Sequence, residues 1–151
     1  WSDVSVSLFS FGPLNCGISV LINSTALVCS IAPGVGKGQV YVTVSGLGCS
    51  ATGVSFEYDA PVVTSIAPLL GPRGGGTVLT FTGSNFGYQD HLVSVSSIGP
   101  QCVSVRITVP HSQMECTTTP AAGGSLLVMT VSVAGQTAAV QEPFRFTPSC
   151  P

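Results

Sequence analysis

The chain has 151 residues, 44% of them hydrophobic and only 7% charged, with a formal net charge of −2. An average soluble domain has about 25% charged residues, so this surface calls for cover by hydroxyls, glycans or neighbouring protein. The four basic residues, Lys37, Arg73, Arg106 and Arg145, are scattered, which argues against nucleic acid, because displacing counterions takes clustered cations.

In chain order, residues 1–11 alternate, with Val4, Val6 and Leu8 on one side and Ser5, Ser7 and Phe9 on the other, the signature of a strand. Gly12-Pro13 is expected to turn the chain. Ile18, Val20 and Ile22 continue the alternation, the polar Asn23-Ser24-Thr25 turns it, and Leu27-Val28-Cys29 resumes it. Residues 33–38 read as a glycine-rich loop. Val40, Val42 and Val44 share one face of a strand, with Tyr41, Thr43 and Ser45 opposite. Residues 46–53 read as a turn carrying Cys49, and Phe56-Glu57-Tyr58 as the last strand before Pro61.

The stretch 61–86, PVVTSIAPLLGPRGGGTVLTFTGSNF, organises the rest of the chain. Residues 62–66 are rich in β-branched side chains and extended. Pro68, Gly71 and Pro72 are expected to break any regular ladder, and the run 74–76 of three glycines to reverse the chain. Residues 77–82 form a strand with Leu79 and Phe81 on one face and Val78, Thr80 and Thr82 on the other. Gly83, Ser84 and Asn85 close it, and Phe86 plugs the end of a small β-core. This window resembles the opening hairpin of the IPT/TIG family of immunoglobulin-like domains, whose pattern is P-x-V-x-S-I-x-P-x-x-G-P-x-x-G-G-T-x-L-T-x-x-G-x-N-F. The resemblance implies an all-β immunoglobulin-like sandwich. It fixes the fold better than the function, since the family serves receptors, secreted enzymes and transcription factors alike.

The second half repeats the plan of the first. Gly99-Pro100 answers Gly12-Pro13, and Cys102 answers Cys16. Cys116 stands four residues before Pro120, as Cys29 does before Pro33. Met129, Val131 and Val133 match Val40, Val42 and Val44; Phe144-Arg145-Phe146 matches Phe56-Glu57-Tyr58; Pro148 falls where Pro61 does. The repeat implies two tandem units: residues 1–60, an IPT/TIG-like sandwich lacking its opening hairpin, and residues 61–151, a complete one. An open sandwich exposes unpaired strand edges, so either a longer polypeptide or another chain is expected to complete the first unit. No helix longer than a turn is expected. The longest apolar runs, such as residues 126–133, are interrupted by Thr130 and Ser132, and none approaches the roughly 18 to 20 residues of a membrane-crossing helix. No transmembrane segment is therefore expected.

Six cysteines without zinc-finger spacing predict disulfides and an oxidising, extracellular or cell-surface location. Cys16 with Cys29, and Cys102 with Cys116, form matched pairs. Cys49 and Cys150 remain over and are candidates for intermolecular bonds. Asn23-Ser24-Thr25 is an N-glycosylation sequon, with Asn23 at a turn tip that has room for a sugar.

For catalysis the chain offers little. His91 and His111 sit in polar loop-like stretches, and Asp3, Asp59, Asp90, Glu57, Glu115 and Glu142 have no paired spacing. The single acid–histidine neighbour pair, Asp90-His91, points to opposite faces if extended. No G-x-S-x-G elbow is present. The glycine-rich run 71–76 lacks the Lys-Ser/Thr of a phosphate loop. Trp1, Phe9, Tyr41 and Tyr88 form no obvious carbohydrate-binding row. No enzyme activity, cofactor or metal is expected. Three roles fit. The first is a structural segment whose copies self-associate head to tail into an extracellular filament or rod-like glycoprotein, with Cys49 and Cys150 joining successive copies. The second is a stalk or ligand-binding segment of a receptor ectodomain. The third is an accessory domain of a secreted carbohydrate-active enzyme.

Overall fold

Alternation of apolar and hydroxyl side chains, broken by glycine and proline, produces short strands and short connections throughout. The computed structural model describes residues 4–10, 12–15, 18–23, 25–44, 48–122 and 124–148. The chain divides into two compact units, Trp1–Tyr58 and Asp59–Pro151.

The first unit contains β1 (Val4–Ser10), β2 (Gly12–Asn15), β3 (Ile18–Asn23), β4 (Ala26–Ser30), β5 (Lys37–Val44) and β6 (Gly48–Glu57). They form an antiparallel sheet in the order β2-β1-β5-β6 and a separate hairpin, β3-β4. Val4 and Val6 of β1 stand opposite Val44 and Val42 of β5. This sheet corrects three expectations. Gly12 and Pro13 lie in a strand that returns along β1, paired with Ser10 and Phe9. The expected glycine-rich loop ends early, because Lys37 and Gly38 already pair with Glu57 and Phe56. The expected turn over residues 46–53 is mostly strand, with Cys49 opposite Thr43. The ladder steps from Gln39↔Ser55 to Tyr41↔Ala51, so β6 carries extra residues as a bulge. Gly53 supplies the positive φ of 70° that this irregularity needs.

The end of this unit is closed by Tyr58. Its hydroxyl donates to the Ala32 carbonyl at 2.7 Å, its N–H to the Gly36 carbonyl at 2.9 Å, and its ring meets Phe56 edge-on at 4.9 Å.

The second unit contains β7 (Val62–Ala67), β8 (Leu70–Pro72), β9 (Val78–Ser84), a 3-10 turn (Asp90–Leu92), β10 (Val93–Ser97), β11 (Cys102–Val109), β12 (Gln113–Thr118), β13 (Leu126–Leu127), β14 (Met129–Val133), β15 (Gln136–Ala139) and β16 (Phe144–Thr147). One layer is the sheet β11-β12-β9-β7; the other is made of β10-β14-β15 and β13-β16-β8. The result is an immunoglobulin-like β-sandwich. Its inner faces alternate as the sequence does: Leu79 and Phe81 of β9, Met114 and Cys116 of β12, Met129, Val131 and Val133 of β14, and Phe144 and Phe146 of β16 are all buried. Each large side chain so buried contributes about 1.5–3 kcal/mol relative to exposure.

One sequence expectation holds only in part in this unit. The ladder of β7 ends at Ala67, before Pro68, as expected, but Gly71 and Pro72 lie in a strand. After the cis Ala67-Pro68 bond the chain crosses to the other layer, where β8 pairs in parallel with β16, Leu70 opposite Arg145 and Pro72 opposite Thr147. Pro72 is tolerated because β8 is an edge strand and its missing N–H faces away from the ladder.

Candidate functional site

The motif around β9 owes its residues to packing. A Cβ at Gly83 would strike the Val62 carbonyl oxygen and come within 2.6 Å of the Phe86 ring, so only glycine fits there. Asn85 takes φ 62°, and its Nδ2 donates to the Ala60 carbonyl at 2.9 Å, tying the strand's end to the chain's entry into the unit. Phe86 is fully buried. The glycine-rich turn is held on β12 by Gly76 N–H to Thr118 O at 2.8 Å and Thr77 N–H to the buried Thr118 hydroxyl at 3.1 Å. These hydrogen bonds hold the turn on β12.

Asp90 and His111 likewise serve the local backbone. Asp90 lies in the 3-10 turn, where its Oδ1 accepts the Ile107 N–H at 2.7 Å. His111 adopts φ 61° in the β11–β12 turn; its N–H donates to Gly87 O at 2.6 Å, and its ring lies 6.3 Å from Tyr88. Among the described residues no group of three His, Cys, Asp or Glu side chains is placed to hold a metal. On the outer face of β9, β12 and β11 lies an open depression of about 290 Å³, bordered by Val78, Ser104 and Thr117 and by the Arg106–Glu115 ion pair. That pair is short, 2.8 Å; the Arg106 side chain is 66% exposed and Glu115 only 22%.

Cys102 and Cys116 form a disulfide between β11 and β12, with Cα atoms 5.5 Å apart; both are buried. Next to it the ladder shifts between Val103 and Arg106, with Ser104 at φ 56°. Cys29 is disulfide-bonded and partly buried, whereas Cys16 lies outside the described residues. Cys49 is the second residue of β6, and Cys150 lies outside the described residues. Asn23 ends β3 and is exposed. Its Oδ1 accepts both the N–H and the hydroxyl of Thr25 at 2.8 Å, so the first and third sequon residues are joined across the hairpin turn.

The model of the IPT/TIG domain matches residues 61–148. In fold, the chain is similar to the plexin A4 extracellular region resolved as domains 1 to 10, with 16% identity and TM-score 0.53 over 96% of this chain and 19% of that one. The plexin A4 structure of domains 1 to 8 gives 16% identity and TM-score 0.51 over 95% of this chain and 24% of that one. This chain therefore spans a quarter or less of either plexin structure. A further match is SGBP-B from a complex xyloglucan utilization locus in Bacteroides uniformis, at 14% identity and TM-score 0.39, over 94% of this chain and 41% of that one.

Proposed function

We propose that this chain, which belongs to the IPT/TIG domain family, is a non-enzymatic structural segment of an extracellular filament or rod-like cell-surface glycoprotein. The observation that carries this reading is a surface poor in charge and rich in apolar side chains. Only 7% of residues are charged, yet Ile22, Val28, Val54, Leu70 and Val128 are exposed, and Ile98 is 88% exposed. Apolar surface of this kind is stabilised when a neighbour covers it. The Cys102–Cys116 bond supports an oxidising compartment.

Two modifications belong to the same reading. Asn23 carries an N-glycan on its exposed hairpin end, supported by the room around that turn and by the sequon's own Asn–Thr hydrogen bonds. Cys49 and Cys150 join successive copies head to tail, a heterologous contact that propagates unless it closes as a ring. Electron microscopy, size exclusion and non-reducing electrophoresis of native material test the assembly. The expected result is a polymer whose covalent ladder collapses on reduction. A dispersed monomer under all three refutes the filament and favours a receptor stalk. Intact mass before and after glycosidase treatment tests the glycan, and an unchanged mass ends that assignment.

A further inference from the structure

We propose that the depression on the outer face of β9, β12 and β11 binds a single neutral sugar ring through its hydroxyls. This goes beyond the filament reading and does not depend on it.

A bulge builds the site. Val103 stands opposite Thr117 and Arg106 opposite Glu115, so Ser104 and Val105 of β11 together face Cys116 of β12. In a regular strand Val103 and Arg106, three positions apart, would point to opposite faces. The extra residue returns Arg106 to the outer face, beside Thr117 and Glu115. Ser104 takes φ 56° at this irregularity, in the left-handed region that residues other than glycine seldom adopt. Backbone held in such conformations, and bulges in general, concentrate next to binding and catalytic sites.

The polar groups gathered there have bonding capacity to spare. Arg106 donates from Nε at 3.2 Å and from Nη2 at 2.8 Å to one and the same oxygen, Glu115 Oε2. Among the described residues, Arg106 Nη1, Glu115 Oε1 and the hydroxyls of Ser104 and Thr117 make no further protein hydrogen bond. They border about 290 Å³ together with Val78, which is 48% exposed.

That inventory selects the ligand. An anion would meet Glu115 and a cation would meet Arg106, while the pair as a whole carries no net charge. A sugar hydroxyl both donates and accepts, so neighbouring hydroxyls on one ring can donate to Oε1 and accept from Nη1. Ser104 and Thr117 serve the next positions, and the ring's C–H face lies against Val78. The volume is near the bottom of the usual range for ligand pockets, about 300–1,000 Å³, which suits one ring better than a chain of them. No aromatic side chain is among the described residues that border the depression. Binding therefore rests on hydrogen bonds exchanged with water and is weak, with Kd on the order of 1 mM.

The test titrates the full 151-residue chain with the methyl pyranosides of glucose, galactose and mannose, following backbone amide shifts by NMR. Each sugar is taken to about 50 mM, well above that Kd. At least one is expected to shift the amides of Ser104, Arg106, Glu115 and Thr117 saturably, while those of β7 and β16 stay in place. Glu115→Gln keeps the shape but removes the charged acceptor, and should weaken binding about tenfold. Ser104→Gly keeps the left-handed backbone and removes one hydroxyl, for a loss of about threefold. Amide shifts outside the depression report that each variant is folded. Absence of a saturable shift with all three sugars overturns the proposal, as does a Kd unchanged in either variant. Sodium sulfate or tetramethylammonium giving the same shifts at equal or lower concentration would mark an ion site, and overturns it too.

Discussion

β12 and β4 each follow a tight hairpin and carry a disulfide-bonded cysteine, yet they sit in different surroundings. β12 lies between β11 and β9; Cys116 is buried on its inner face, and Gln113, Glu115 and Thr117 are half-buried on its outer face. β4 has only β3 beside it among the described residues; Cys29 is partly buried, and the outer-face Ala26, Val28 and Ser30 are exposed. The difference is made by the strand beyond, more than by the hairpin's own sequence. Strand preference is largely a statement about packing neighbours, so two similar local elements are covered to different extents in the two units.

The sharpest way to test that comparison is to place a charge on each side of it. Leu79→Asp puts an unpaired carboxylate in the fully buried face of β9, which costs several kcal/mol, and the second unit should lose its melting transition. Val28→Asp, at a residue 56% exposed, should shift the first unit's transition by no more than about 0.5 kcal/mol. Equal effects in differential scanning calorimetry would show that Val28 is covered as fully as Leu79.

Next in size is the loss of the disulfide. Replacing Cys102 and Cys116 by alanine removes a cross-link of sequence separation 14, worth about 3 kcal/mol for loops of this length. Under mild reductant, alkylation followed by mass spectrometry should label Cys29 before Cys102 or Cys116, because Cys29 is partly exposed and the others are buried. Simultaneous labelling of all three breaks the contrast.

Tyr58→Phe is a smaller change. It removes the hydroxyl bond to the Ala32 carbonyl and should cost the first unit about 1 kcal/mol in urea unfolding, leaving the second untouched. Smallest is Arg106→Ala, which deletes the surface pair with the partly covered Glu115. A loss between about 0.2 and 1 kcal/mol, reduced further by salt, is expected. A larger loss in the same unfolding assay would mean that the outer face of the second unit is held more tightly than its exposure implies.

Much of the second unit can be read directly from its residues. The alternation around Leu79 and Phe81, the plug at Phe86 and the spacing of Cys102 and Cys116 are local patterns, and the structure places them as those patterns imply. The features that sequence does not reveal are non-local or disguised by residue type. β6 runs through Gly53, and β8 contains Gly71 and Pro72; both compositions read as turns, although a bulge and an edge position accommodate them. The Tyr58–Ala32 bond spans 26 residues, and the Asp90–Ile107 bond 17. No spacing rule within a single strand reports either. Of the candidate site residues, the Asn23 sequon is a contiguous motif visible in the chain itself, whereas the pairing of β12 with the distant β9 is visible only in the fold.

The parallel pairing of β8 with β16 has a mechanical meaning. The chain enters the second unit through β7, which leads into β8, and leaves it at the far end of β16, after Thr147. Tension that reaches these two strands from the chain's two ends drags β8 backwards and β16 forwards, so they slide against each other along their length. The contacts between them, Arg145 N–H to Leu69 O at 2.9 Å and the Thr147 hydroxyl to Gly71 O at 3.2 Å, are then strained together instead of one after another. A hairpin pulled open at its mouth yields bond by bond; a parallel pair loaded from opposite ends of the chain shares the load across its bonds.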